Sequence, residues 1–285
     1  ENSPAYIAEM QSGWFDKWDG MGYKHIRDAL GDEHINIMNK TALSQGVTIF
    51  NHFLAVGGTN WGNLACDEVY TSYEFSAPID EFGILRSNYF KAKEINYFLQ
   101  SFDFTCTEPK DFDFYQENIY AKLRHDNNND CDWLFMRNMN ENQVDTKLPN
   151  GKTLKLKPYD MKICPLNLKL KGCEIEFSDM EIFARLQNEE EDAVFFISDK
   201  DANIYLSDGT VICGDKSDYE HISFGGKTEF VFLSKELADR TWLLENQIIF
   251  NADYVLPNGA IALEKNTEIA YFDLKYKFSK KSCIV

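Results

Sequence analysis

No stretch of the 285 residues approaches the roughly 20 consecutive apolar side chains that a membrane-spanning helix needs, which excludes a transmembrane reading. Positive charge is scarce as well: 29 Lys and Arg stand against 46 Asp and Glu, a formal net charge of −17. Such a field repels phosphate backbones and anionic lipid surfaces, so nucleic acid is not an expected partner. The seven cysteines (66, 106, 131, 164, 173, 213 and 283) contain no Cys-x-x-Cys spacing, and neither a zinc site nor a disulfide framework is legible. The five histidines form no His-x-x-x-His pair; His25, His34 and His52 read as ordinary helix or loop residues rather than ligands. No metal or other cofactor is expected. Internal repeats and low-complexity tracts are absent too. The chain opens Glu1-Asn2-Ser3-Pro4 with no Met, basic n-region or apolar h-region, and reads as a fragment or a processed product.

What is present is core material. With 44% hydrophobic and 14% aromatic residues, the chain can build one large domain or two ordinary ones. Residues 4–9 are a nearly continuous apolar run, as expected of a strand buried on both faces of a parallel sheet, and the run ends in the carboxylate of Glu9. After a Gly- and Trp-rich loop, Ile26, Ala29, Leu30, Ile37 and Met38 recur at helical spacing until Gln45-Gly46. Residues 47–56 read as a second strand, 57–83 as a glycine-bearing loop, and Leu85, Tyr89, Ala92, Leu99 and Phe102 mark one face of a further helix.

Two strand–loop–helix units in about 100 residues suit a (β/α)8 TIM barrel, of which they make only the last quarter. Their open edges and uncovered apolar face call for the other barrel strands. Residues 105–118 read as a linker, after which the texture changes to short strands at 133–137, 153–156, 192–197, 203–206 and 229–232. Residues 169–177 alternate well enough for a half-solvated strand, and Asn150-Gly151 and Asp208-Gly209 are hairpin dipeptides. The expected organisation is a barrel segment over 1–104, the linker, and an antiparallel β-sandwich or jelly-roll-like domain over 119–285. The acidic run 189–192 reads as a solvated loop. The glycosylation triplet Asn39-Lys40-Thr41 lies within an expected helix and carries little weight.

In barrels the catalytic groups sit at the carboxyl ends of strands, which brings Glu9 and the loops after Val56 to one face. A lone Glu after an apolar strand is as compatible with capping or ion pairing. Its neighbours Trp14, Phe15 and Trp18 offer aromatic faces of the kind that stack on sugar C–H faces, or that simply pack a core.

Three segments carry a resemblance: Ala8-Glu9-Met10-Gln11-Ser12-Gly13-Trp14-Phe15-Asp16-Lys17-Trp18, Gly57-Gly58-Thr59-Asn60-Trp61-Gly62 and Thr71-Ser72-Tyr73-Glu74-Phe75-Ser76-Ala77-Pro78-Ile79-Asp80-Glu81. In this order and spacing they resemble glycoside hydrolase family 35 β-galactosidases over residues 4–102. A weaker likeness to that family's following β domain runs through Phe135-Met136-Arg137-Asn138 and residues 159–170.

The resemblance implies a retaining exo-glycosidase for terminal β-galactosyl residues of oligosaccharides or glycoconjugates, secreted or lysosomal/vacuolar, with Glu9 as nucleophile. It also implies an acid/base Glu from an Asn-Glu pair on an earlier strand, which this chain lacks. Trp14 matches an aromatic of the sugar pocket. Asn60 is a candidate to hydrogen-bond sugar or to brace Glu9, in a Gly57–Gly62 loop that shapes the pocket floor or simply turns. Tyr73 matches the family as pocket or core residue. Phe75 departs from it, standing where a Tyr hydroxyl is usual, and so leaves open a related β-glycosidase such as an exo-β-glucosaminidase. Asp16, Asp80 and Glu81 are supporting or capping carboxylates. A non-catalytic carbohydrate-binding or pseudoenzyme product is the alternative to an enzyme.

Overall fold

The computed structural model describes residues 4–13, 16, 19–65, 71–265 and 267–283. Strand β1 (Ala5–Gln11) is followed by helices α1 (Tyr23–Leu30) and α2 (Glu33–Ser44), strand β2 (Val47–Phe53) and helix α3 (Ser87–Ser101). The single helical run expected between the strands is two helices, because Gly31 takes a left-handed φ of 68° that ends α1. β1 and β2 pair in parallel, from Ala5 opposite Val47 to Gln11 opposite Phe53. The expected burial of β1 on both faces is not what forms. Only Met10 of β1 is buried, while Tyr6 is 59% and Ile49 of β2 is 48% exposed, because two paired strands have no neighbours to cover them.

The helices bury the other side of this unit. Ala92, Ile95 and Phe98 of α3, spaced three apart, and Ile35, Ala42 and Leu43 of α2 face inward. Their partner is a seven-stranded antiparallel sheet in the order 211–213, 203–206, 174–178, 161–169, 131–138, 119–126, 107–110. Trp133 of this sheet is fully buried against Phe98, Phe102 and Phe104, with ring centroids 5.1, 4.8 and 5.7 Å away.

The strand Thr107–Lys110 lies inside the stretch read as a linker; it forms the edge of this sheet, pairing with Ile119–Asp126. The single strand expected at 169–177 is broken by a turn at 170–173, which joins Met161–Lys169 to Glu174–Ser178 and is closed by Leu170 N–H donating to Cys173 O at 2.9 Å. Backbone amides of Lys171 and Gly172 are drawn out of strand pairing by the side chains of Asp192 and Thr228. Both hairpin dipeptides do close antiparallel pairs, Val144–Lys147 with Thr153–Leu156 and Asn203–Leu206 with Val211–Cys213.

A four-stranded sheet (182–187, 192–197, 228–233, 221–224) lies between the first sheet and a third one (242–244, 247–250, 267–273, 277–283). Strand periodicity explains its double burial: Val194 and Phe196, with Phe230 and Phe232, pack toward Trp133, while Ala193 and Phe195, with Val231 and Leu233, pack toward Phe250 and Phe272. The expectation of a wholly antiparallel β half needs correction here, since Asp192–Ile197 and Thr228–Leu233 run parallel. The acidic run 189–192 is likewise no plain solvated loop. Asp192 is 0% exposed, pairs with Arg185 at 2.8 Å and accepts from Thr228 Oγ1. Asn39 of the glycosylation triplet is buried, its side chain bonded to the His52 ring at 3.0 Å. Among the described residues no helix is long and apolar enough to cross a membrane.

Candidate active site

The parallel register of β1 and β2 slips between Ile7 and Met10, so Ala8 and Glu9 stand out of the pairing. Asn51 of β2 pins this bulge by donating from Nδ2 to Ala8 O at 3.2 Å. Glu9 is exposed, and its carboxylate has no hydrogen bond or ion pair among the described residues.

The chain beyond β1 is held tightly. Ser12 is buried and its hydroxyl donates to Leu54 O, just past β2. A Cβ on Gly13 would stand 1.9 Å from Phe75 O and 2.6 Å from Ser76 O, so only glycine permits this crossing. Asn88, in the first turn of α3, donates from Nδ2 to Ser12 O at 3.1 Å and to Ser76 O at 3.2 Å, tying the two loops together. Phe75 and Ser76 both hold left-handed φ values, 50° and 54°, which turn the chain back at the crossing.

On this frame three aromatics gather. Tyr73 and Phe75 are 4.6 Å apart between ring centroids, and Phe53 at the end of β2 stands 5.9 Å from Phe75 and 6.4 Å from Tyr73. Tyr73 is placed by a two-residue strand, Ser72–Tyr73, paired with Gly58–Thr59. Between them in sequence, Glu74 is buried with Arg27 at 3.2 Å and Arg86 as ion partners. Arg86 also donates to Ala77 O at 2.7 Å, which fixes the aromatic loop to the start of α3.

The other expected residues fall into place differently. Trp14 lies outside the described residues. Asn60 donates from Nδ2 to Leu64 O at 3.2 Å within its own loop, and its backbone N–H donates to Thr71 O at 3.0 Å. Asp16 is buried and accepts from Gly22 N–H at 2.6 Å. Asp80 accepts from the N–H groups of Ile84 and Phe82 at 2.8 and 2.9 Å, bonds that hold its carboxyl below the usual carboxylate range. Glu81 accepts from Thr59 Oγ1. These three carboxylates are committed to loop geometry. Among the described residues no group of three His, Cys, Asp or Glu side chains is placed to hold a metal ion.

Phe53, Asn88 and the Arg27–Glu74–Arg86 cluster went unnoticed in the sequence. The only signal for the first was its place at the end of an apolar strand; the ion cluster is scattered over 60 residues and has none.

Comparison with known proteins covers this same region. Residues 1–98 match the family described as glycosyl hydrolases family 35. The N-terminal third is thus a family 35 match. Similar relatives include the probable beta-galactosidase C of Talaromyces marneffei and that of Aspergillus clavatus, each 37% identical over 95 residues, 33% of this chain and 10% of the relative. The same-named protein of Penicillium rubens is 34% identical over 97 residues, 34% of this chain and 10% of its own. The chain therefore spans about a tenth of the length of these relatives within the match. Glu9, Gly13, Tyr73, Phe75 and Asn88 all fall inside the family 35 segment.

Proposed function

We propose that Glu9 is the nucleophile of a retaining exo-β-galactosidase, and that this chain supplies the nucleophile side of the site within a longer parent. The carrying observation is the exposed, uncommitted carboxylate of Glu9, on a strand-end bulge inside the family 35 segment. A free carboxylate can attack the anomeric carbon to form a glycosyl ester. A second carboxyl group about 5–5.5 Å away then protonates the leaving oxygen and later activates water.

In this reading residues 1–104 are the last quarter of a (β/α)8 barrel, and 119–285 form a β-sandwich-like accessory unit. The acid/base comes from an earlier barrel strand of the parent. Support comes from the parallel β1–β2 pair, whose exposed Tyr6 and Ile49 leave apolar surface for further strands to cover. Tyr73, Phe75 and Phe53 give one wall of the sugar pocket, with Trp14 as a further stacking residue and Asn60 shaping the adjoining loop. Terminal β-galactosides of oligosaccharides or glycoconjugates are the substrates, met in a secretory or vacuolar compartment.

Phe75 favours one variant of this reading. Without a phenolic hydroxyl at that place the pocket offers one fewer donor, which suits a different sugar such as a β-glucosaminide. A panel of aryl glycosides given to the parent protein separates the two.

The test of Glu9 is trapping with a 2-deoxy-2-fluoro galactoside in the parent, followed by peptide mapping. The ester is expected on Glu9, and an ester on another residue overturns the assignment. Glu9→Gln is expected to lower kcat by about 10⁴-fold with the fold intact, and near-normal turnover refutes the role.

A further inference from the structure

Strand alternation alone would not place Glu9 where it stands. Ile7 lies opposite Phe50 and Met10 opposite His52, so β1 has two residues, Ala8 and Glu9, where β2 has only Asn51. Such a two-against-one step is a β-bulge, a device that re-aims a side chain. Phe50 packs on the core around Trp133 and His52 bonds Asn39 of α2, which makes theirs the helix side of the pair. Ile7 and Met10, three residues apart, both turn to that side, and Met10 is 2% exposed.

Side chains of a regular strand alternate with a period of two, so without the bulge Ile7 and Glu9 would share a face. With Ile7 kept opposite Phe50, unbulged pairing sets Ala8 against Asn51, Glu9 against His52 and Met10 against Phe53. The Glu9 carboxylate would then turn in toward the helices, and Met10 would come out.

Asn51 occupies the other face of β2, in one row with Ile49 and Phe53. Phe53 ends that row, and its ring joins Tyr73 and Phe75. A carbonyl lifted out of the ladder by a bulge needs a donor from elsewhere. Asn51 Nδ2 supplies it, donating to Ala8 O at 3.2 Å, and among the described residues its side chain makes no other hydrogen bond.

We propose that Asn51 is a positioning residue for Glu9. Its amide holds the bulge by bonding the carbonyl of the extra residue, and so keeps the carboxylate on the face that carries Phe53. The inference rests on the nucleophile role given to Glu9. Asn51 acts through the backbone of β1 and not on the sugar. An alkyl side chain in its place leaves Ala8 O without this donor and lets the register relax toward the unbulged pairing. Attack on an anomeric carbon tolerates little displacement, since misplacing a reacting group by about 1 Å costs about 10²-fold in rate.

The experiment is steady-state kinetics of Asn51→Ala and Asn51→Gln in the parent protein, with the aryl glycoside it cleaves fastest, alongside trapping by the 2-deoxy-2-fluoro galactoside. Asn51→Ala is expected to lower kcat by about 10²-fold with KM within about twofold, and to slow ester formation in parallel. Asn51→Gln keeps an amide donor and should recover about tenfold of that loss. The urea midpoint of both variants is expected to match that of the parent. An ester mapped to a residue other than Glu9 overturns the nucleophile assignment, and this inference with it. An ester on Glu9 in parent and variant alike, with kcat of Asn51→Ala within about threefold of the parent, overturns this inference alone. So does a lowered urea midpoint with normal turnover per folded molecule, which would make Asn51 a purely structural residue.

Discussion

Gly13 and Asn88 do together what neither could do alone. The glycine lets the loop after β1 touch the Phe75–Ser76 backbone, and the amide then bridges the two strands of chain it has brought together. Gly13→Ala forces a Cβ into a carbonyl oxygen, which no side-chain adjustment relieves. We expect it to destabilise the chain by about 3 kcal/mol or more, read as a lower urea midpoint. A midpoint within error of the parent would mean that the loops do not cross as described. At this scale the sequence was half legible. The aromatic-rich texture and the Glu9 position marked the candidate site, because strand-end carboxylates and clustered rings are visible in one dimension. The Asn88 bridge to Ser12 and Ser76 was invisible, because it arises from three separate stretches of chain meeting.

Beside the hydrophobes that pack both faces of the middle sheet, one buried ion pair ties its strands together. Asp192 receives Arg185 Nη2 at 2.8 Å, Lys171 N–H at 3.2 Å and the Thr228 hydroxyl, joining three strands and a turn. Arg185 also donates to Asn129 at 3.1 Å, while its backbone N–H donates to Ser101 of α3 at 2.8 Å. Removing one partner strands the other charge in the interior. Asp192→Asn should therefore cost roughly 3–5 kcal/mol by urea denaturation, whereas an unchanged midpoint would show the pair to be dispensable. Sequence reading located two strands of this sheet, 192–197 and 229–232, since short apolar runs report directly on extended backbone. It missed the parallel partnership of 192–197 with 228–233, because pairing over some 35 residues leaves no local trace. It also read an acidic run by composition, where one of its four members, Asp192, is a core residue.

At the scale of the whole molecule, the helical unit and the β-rich unit meet across a charged cavity of about 600 Å³, lined by Glu33 and Lys91 on one side and Asp160, Lys162 and Glu181 on the other. Burial, with Glu181 close by, raises the Asp160 carboxyl above its ordinary value, against the opposing pull of Lys40 and Lys162. A carboxyl whose native pKa is raised costs stability when ionised, and that cost is relieved as pH falls through the native value toward the ordinary one. Asp160 makes no side-chain hydrogen bond among the described residues, so Asp160→Asn loses no partner. We expect Asp160→Asn to be more stable than the parent chain at about pH 7 and indistinguishable from it at about pH 3 in denaturant titrations. A loss of stability at neutral pH would mean that the carboxylate is held by a favourable partner.

The same junction holds Trp133, enclosed by three phenylalanine rings with its indole N–H on Asp126 at 3.1 Å, while Trp61 is 93% exposed. One indole lives without water and the other almost wholly in it, so their ultraviolet emission differs in colour and in access to a dissolved quencher. The seam between the two units thereby carries its own internal lamp, and water reaching it shifts that lamp's colour toward the red.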